Sequence, residues 1–266
     1  MPSLLFVNPH SGDGGAEELL AQARARGIRT HLVGRGEDLA AVARAEDADA
    51  LGVAGGDGSL AVVAAAAIER GLPFVCVPFG TRNHFARDVG LDRDDPIAAL
   101  DAFVDREERV IDVGRANDRL FLNNVSLGLY AQLVHRREQH RRRRDAFARM
   151  RALTIIARHR TPLGITLDGE PIQARVVLVS NNAYTLEMLS VGERERLDEG
   201  KLHFYAPTGL LRSFWEERSG ETFTVDAAGG KLRAAVDGEP AVMETPIELR
   251  VDRAALRVLL PRGPRS

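Results

Sequence analysis

The stretch Ala50-Leu51-Gly52-Val53-Ala54 followed by Gly55-Gly56-Asp57-Gly58-Ser59 decides the fold, because a short apolar strand here runs straight into a glycine turn. Leu60 to Arg70 then carries Ala, Leu, Ile and Val at helical spacing, Gly71 stands where a helix stops, and Phe74 to Val77 is again short and apolar. Strand, helix and strand in that order make a βαβ unit, whose crossover lays the two strands parallel. Working outward, Leu4 to Val7 and Thr30 to Val33 read as further strands, with helices at Ala16 to Arg26 and Asp38 to Ala45 and a stop at Gly27. Residues 1–112 are therefore expected to form an open α/β domain.

Beyond Asp112 the texture changes. Arg119 to Val125, Gly164 to Leu167, Arg175 to Ser180, Lys201 to Tyr205, Glu221 to Val225, Leu232 to Val236, Ile247 to Val251 and Ala255 to Leu260 are short runs separated by turn residues. That rhythm predicts a mainly antiparallel β-sandwich over residues 113–261. One stretch breaks it. Between His135 and Arg160, the residues Phe147, Met150, Thr154 and Ala157 recur at helical spacing among many arginines, opposed by Glu138 and Asp145 alone. Pro261 to Ser266 reads as a frayed end.

The 266 residues suffice for two domains with separate cores, and a formal charge of -2 gives no overall attraction to nucleic acid. Cys76, the single cysteine, sits in the apolar run Phe74-Val75-Cys76-Val77, so it is expected to be packed rather than bonded to metal or sulfur. No run approaches the roughly 20 apolar residues that span a bilayer, and Met1-Pro2-Ser3 leads directly into an apolar strand without a charged leader. A cytoplasmic protein is expected on those grounds.

Three glycine-containing turns follow three strands of the first domain: Asn8-Pro9-His10-Ser11-Gly12, Gly55-Gly56-Asp57-Gly58-Ser59 and Pro78-Phe79-Gly80-Thr81-Arg82-Asn83. In an open α/β sheet such turns gather at the carboxyl ends of the strands, where ligands bind. Glycine lets backbone N–H groups approach phosphate oxygens, and a helix starting behind the turn favours negative charge. Ser11, Ser59 and Thr81 could add hydroxyl donors. One such turn alone is an ordinary connection, whereas three on one edge point to a nucleotide. The pattern is neither a Walker A loop, which needs Gly-Lys-Ser/Thr, nor a G-x-G-x-x-G fingerprint after the first strand.

Those turns, NPHSG, GGDGS and PFGTRNHFAR at Pro78 to Arg87, resemble the nucleotide loops of the diacylglycerol kinase and sphingosine kinase family of lipid kinases. The likeness continues, in the family's order, through Asp112-Val113-Gly114, Phe121-Leu122-Asn123, Ser126-Leu127-Gly128, Leu197-Asp198-Glu199-Gly200-Lys201-Leu202 and Asp237-Gly238-Glu239. The resemblance implies a first domain like those of NAD kinase and phosphofructokinase, a C-terminal β-sandwich, an active site between them, and transfer of the γ-phosphoryl group of ATP to a lipid hydroxyl. It assigns ATP contacts to Asn8, Pro9, His10, Ser11, Gly12, Gly56, Asp57, Gly58, Ser59, Leu60, Ala61, Val62, Thr81 and Asn83. Asp57 matches the aspartate tied to catalysis through the nucleotide's magnesium, and Glu239 matches the proton acceptor. Asp112 matches a further acid of that metal network. Arg196, Glu199 and Lys201 match a loop holding a structural magnesium, Glu199 by its carboxylate and the other two by backbone carbonyls. Two departures stand out: His84 replaces the aspartate that usually follows Asn83, and Val33-Gly34-Arg35-Gly36 lacks a threonine common after the second strand, a contact left to Arg35 or to backbone.

Plainer alternatives accompany these assignments. Asp57 also suits the N-cap of a helix beginning at Ser59. Asp237-Gly238-Glu239-Pro240 is a hairpin signal that Asp168-Gly169-Glu170-Pro171 repeats, and only motif order selects Glu239 and leaves Glu170 structural. The basic run Arg136 to Arg144, with Arg136, Arg137 and Arg141 to Arg144, suits peripheral docking on the anionic inner membrane face where a lipid substrate resides. It equally suits a solvated helix or the acidic face of a second copy in a homodimer; specific nucleic-acid binding is not expected. Two rival functions stay open, an NAD kinase-like kinase of a small molecule and a nucleotide- and lipid-binding regulatory module without turnover. The acceptor, diacylglycerol or a related lipid, is not legible.

Overall fold

The structure, a computed structural model, describes residues 2–12, 14–128, 162–187, 190–191, 193–207 and 215–262. The helix expected between His135 and Arg160, with its arginines, lies outside these residues. The chain forms two compact units, Met1–Val113 together with Arg253–Ser266, and Gly114–Asp252. The end of the chain, placed with the second domain by the sequence reading, returns to the first.

The first unit contains β1 (Leu4–Val7), α1 (Ala16–Ala25), β2 (Arg29–Leu32), α2 (Leu39–Ala45), β3 (Leu51–Gly55), α3 (Asp57–Glu69), β4 (Phe74–Pro78), α4 (His84–Asp88), a 3-10 helix (Ala98–Phe103) and most of β5 (Arg106–Ala116). β2, β1, β3 and β4 are parallel in that spatial order. Leu5, Val7, Val75 and Val77 share one core with Leu19, Leu100 and Phe103, so α1 and the 3-10 helix cover one face. Their alternates Phe6, Val53, Phe74 and Cys76 are equally buried on the opposite face, where α3 packs on β3 and the Phe74 and Phe85 rings lie 6.4 Å apart. Covering both faces explains why these strands read as unbroken apolar runs. Gly52 interrupts one of them because a Cβ there would fall 2.4 Å from the Phe103 ring. β5 is absent from the sequence reading, since its first half, Arg106-Glu107-Glu108-Arg109, is exposed and charged and shows no apolar alternation.

The second unit contains β6 (Arg119–Phe121), β7 (Asn124–Gly128), β8 (Ile165–Leu167), β9 (Glu170–Ile172), β10 (Val176–Asn181), the short pair β11 (Leu186–Glu187) and β12 (Ser190–Val191), β13 (Leu202–Pro207), β14 (Trp215–Gly220), β15 (Thr222–Ala227), β16 (Lys231–Val236), β17 (Glu239–Glu244) and the first part of β18 (Ile247–Pro261). One antiparallel sheet runs β14-β13-β10-β7-β16-β17, and in the other β18 pairs β15, then β8, then β9, again antiparallel. Val125, Leu127, Phe204 and Val236 of the first meet Leu167, Phe223, Val225 and Leu249 of the second in one core, making the expected sandwich.

The two strands expected at Ile247 to Val251 and Ala255 to Leu260 are one. β18 continues through Asp252-Arg253, its first part antiparallel to β15 and its last part parallel to β4, with Val258 opposite Phe74.

Candidate active site

The three glycine turns are bonded to one another. Asn8 leaves β1 with its N–H on Ala54 O at 2.9 Å, and its Oδ1 accepts the His10 N–H at 3.0 Å, folding Pro9, His10 and Ser11 around its side chain. Its Nδ2 donates to Ser59 Oγ at 3.2 Å, which ties the first turn to the second. Gly12, at φ 72°, approaches the third turn so closely that a Cβ would lie 3.0 Å from Phe79 O. Gly80 is tighter still: a Cβ there would fall 2.5 Å from Gly56 Cα and 2.9 Å from Asn83 Oδ1. The second and third turns thus cross backbone to backbone, and position 80 has room for glycine only. Buried Asn83, at φ 49°, accepts the Gly80 N–H at 2.8 Å and returns Nδ2 to Gly80 O at 3.0 Å, so its amide shapes the turn.

α3 starts earlier than the apolar spacing implies. Gly56 is its N-cap, and Asp57 is its first residue rather than the cap considered above. The Asp57 carboxylate instead accepts the Phe85 N–H at 3.3 Å, at the beginning of α4. Gly58, Ser59, Ala61 and Val62 are half-buried around this start, whereas the Leu60 side chain is enclosed in the core and can offer a ligand only its backbone. Thr81 and Arg82 are exposed beside them. Burial pulls the His84 imidazole below its ordinary value against the opposing charge of Asp57, and Arg87 and Arg82 lower it further. It is therefore uncharged near neutrality. Asp88, which the sequence reading passes over, has a fully enclosed side chain paired with Arg87 Nη2 at 2.9 Å. Asp112 is 3% exposed, and its Oδ1 accepts the N–H of Ala254, a residue at φ 49°.

In the second unit the twin Asp-Gly-Glu-Pro segments fold alike and then diverge. Asp237 and Gly238 (φ 48° and 82°) and Asp168 and Gly169 (φ 51° and 84°) both form tight hairpins with two positive φ angles. Asp168 accepts the Thr224 N–H at 2.7 Å. Asp237, 8% exposed, accepts three consecutive N–H groups, from Leu122 and Asn123 at 2.7 Å and from Asn124 at 3.1 Å. Glu170 is two-thirds exposed (67%) and pairs with Arg218 at 2.8 Å. Glu239 is exposed at the start of β17, opposite Val236.

Arg194 is a buried residue that sequence reasoning misses, because nothing in Glu193-Arg194-Glu195-Arg196 distinguishes it from its exposed neighbour Arg196. Arg194 is 3% exposed, donates Nη1 to Leu122 O at 2.7 Å and to Asn181 O at 2.9 Å, donates Nη2 to Asn123 Oδ1 at 2.7 Å, and lies 5.7 Å from the Tyr184 ring centroid. The Arg196 guanidinium reaches Asp198 at 3.1 Å. Glu199 Oε2 accepts the Ala183 N–H at 2.9 Å and is 3.0 Å from His203 Nε2, while Lys201 O accepts the Asn182 N–H at 3.0 Å. Among the described residues no group of three or more His, Cys, Asp or Glu side chains could hold a metal.

Residues 2–116 match the family of the diacylglycerol kinase catalytic domain. In an alignment 296 positions long the chain is 32% identical to a diacylglycerol kinase of Mycobacterium tuberculosis, and the alignment covers 97% of this chain and 94% of that one. Among solved structures it is similar to a diacylglycerol kinase of Bacillus anthracis (TM-score 0.68, 19% identity, 97% and 96% of the two chains). It is also similar to an NAD kinase of Archaeoglobus fulgidus in complex with ATP (TM-score 0.51, 12% identity, 98% and 93%). The two structural likenesses are of fold, an α/β domain followed by an antiparallel β domain.

Proposed function

The chain belongs to the diacylglycerol kinase family of lipid kinases, and we propose that it moves the γ-phosphoryl group of ATP, carried with magnesium, onto the hydroxyl of diacylglycerol or a related lipid. The observation that carries this reading is the gathering of all three glycine turns at the start of α3, through the close crossing of Gly56 and Gly80 and the bond from Asn8 to Ser59. Helix N-termini receive phosphate on backbone N–H groups. Ser59 Oγ accepts from Asn8 Nδ2, so its own proton is left to donate to a phosphate oxygen. Ser11 and Thr81 would extend that donor set.

Magnesium is usually held by one or two carboxylates plus substrate phosphates. Asp57 would hold the nucleotide's ion through a water bound to it. Once bound, the ion offsets charge on the phosphoryl group in transfer. Asp112, enclosed and bonded to Ala254, would support the site from behind. Glu239 would take the proton of the lipid hydroxyl as general base. For the structural cation, Glu199 with the carbonyls of Arg196 and Lys201 supplies the all-oxygen set that hard cations take, and both hydrogen bonds of the Glu199 carboxylate fall on Oε2.

Within the described residues no helix is long and apolar enough to cross a membrane. We place the enzyme at the cytoplasmic face of the membrane, with Arg136 to Arg144 as its contact. The deciding experiment supplies labelled ATP with a lipid extract and, separately, with NAD. Label entering a lipid phosphate ester supports the proposal; label on NAD replaces it with the small-molecule kinase, and ATP binding without transfer to either replaces it with the regulatory module.

A further inference from the structure

We infer that Arg194 and Asp237 are positioning residues for the turn that carries Glu239, clamping residues 122–124 from opposite sides. The inference rests on the reading of Glu239 as the base. Asp237 gathers the N–H groups of Leu122, Asn123 and Asn124, and its own N–H donates to Asn124 O at 2.9 Å. Arg194 holds Leu122 O and the Asn123 side chain. The peptide unit joining Leu122 to Asn123 therefore has its carbonyl on a guanidinium and its N–H on a carboxylate. A dipole aligned between a buried cation and a buried anion strengthens both hydrogen bonds in a low-dielectric interior. Asn123 O also accepts the Asn181 N–H at 3.1 Å, and Asn124 Nδ2 donates to Tyr184 Oη at 2.9 Å beneath the guanidinium, so the segment is fixed along its length.

The twin hairpin shows that the turn does not need this clamp in order to form. Asp168-Gly169 adopts the same backbone with its carboxylate on the single N–H of Thr224. Two buried charges carry a desolvation cost that a turn alone does not justify. Both copies carry glutamate two residues after the aspartate, and what distinguishes the clamped copy is the role proposed for that side chain. Glu239 must be held to a fraction of an ångström if it is to meet a substrate proton, while Glu170 meets only a surface arginine.

The test measures kcat, KM for ATP, the pH dependence of kcat and the melting temperature for Arg194→Lys and Asp237→Asn, alone and combined with Glu239→Gln, with Asp168→Asn as control. Arg194→Lys keeps the charge but cannot serve three acceptors in a plane. It should lower kcat roughly 10- to 100-fold, leave KM for ATP nearly unchanged and shift the acidic limb of the pH profile. In the Glu239→Gln background it should lower kcat no further, because the group it positions is already lost. Asp168→Asn should leave kcat alone. If Arg194→Lys unfolds the protein, Asn123→Ala, which removes one acceptor of the clamp, is read in the same way. Equal fractional losses with and without Glu239 would overturn the clamp while leaving the base assignment standing, as would a folded Arg194→Lys with unaltered kcat. A fully active Glu239→Gln would overturn the base assignment itself and this inference with it.

Discussion

Asp57 illustrates how one side chain answers two demands. Its Oδ1 accepts the Phe85 N–H, a bond that an asparagine oxygen can keep, while the charge that the proposed function sets beside magnesium is lost in Asp57→Asn. That variant is expected to melt close to the wild type and to lose most turnover; a folded, fully active Asp57→Asn would remove Asp57 from the chemistry. The twin glutamates give the complementary comparison. Glu239→Gln should slow phosphoryl transfer roughly 100-fold or more with little effect on ATP affinity. Glu170→Gln forfeits a surface pair with Arg218, which is generally worth under about 1 kcal/mol, and should leave the rate intact. An essential Glu170 beside a dispensable Glu239 would mean that the order of motifs has selected the wrong turn. Asp57 and Glu239 are singled out for their proposed roles by the order of contiguous motifs, which for Glu239 is all that separates it from Glu170. Arg194 is not legible, because its burial is created by Leu122, Asn123 and Asn181, distant in sequence, and leaves no local pattern.

At the scale of elements, the crossing of the second and third turns fixes what can be changed. Gly80→Ala sets a Cβ against the Gly56 backbone, which cannot swing away as a side chain would. It is expected to cost about 1–3 kcal/mol of stability and to weaken ATP binding, as calorimetry and thermal melts would report. Gly229→Ala, with nothing within 4 Å of the new methyl, should change neither. The β5–β18 pairing adds a pH-dependent contribution. Hydrogen bonds from Arg257 to both carboxylate oxygens, at 2.8 Å each, hold the Glu108 carboxyl below the ordinary carboxylate range of about 4.3. A pKa depressed in the folded state stabilises above the unfolded value, and that contribution disappears as pH falls through the folded one. Glu108→Gln should therefore melt slightly below the wild type at pH 7, the pair being exposed, with the gap closing as pH falls through the folded value. The parallel core strands were readable because both their faces are buried. The start of α3 is not legible, because apolar spacing begins at Leu60 while the cap at Gly56 sets the first turn, and Asp252-Arg253, a charged pair that resembles a turn, hides the continuity of β18.

At the scale of the whole molecule, the first unit is built from two distant pieces of chain. A run of alternating apolar residues announces a strand but not which sheet it will join, so sequence position alone puts Ala255 to Leu260 with the nearer domain. Its residues Leu256, Val258, Leu259 and Leu260 are nevertheless buried, with Val258 and Leu259 paired to Phe74 and Val75 of β4. Burying each such side chain contributes roughly 1.5–3 kcal/mol, and four of them together rival the 5–15 kcal/mol that typically separates a folded domain from its unfolded chain. Without them β4 becomes an open edge and Asp112 loses the Ala254 N–H. A fragment comprising residues 1–113 is accordingly expected to show no cooperative melt by circular dichroism. Adding residues 253–262 after residue 113 through a short flexible linker should restore one, since Asp112 Oδ1 already lies 2.8 Å from the Ala254 nitrogen and the joined ends are neighbours. The restored fragment should also bind ATP, because every glycine turn of the proposed nucleotide site lies within residues 8–83. A cooperative melt and ATP binding in the bare 1–113 fragment would show that the returning strand is an accessory to this domain rather than a part of its core.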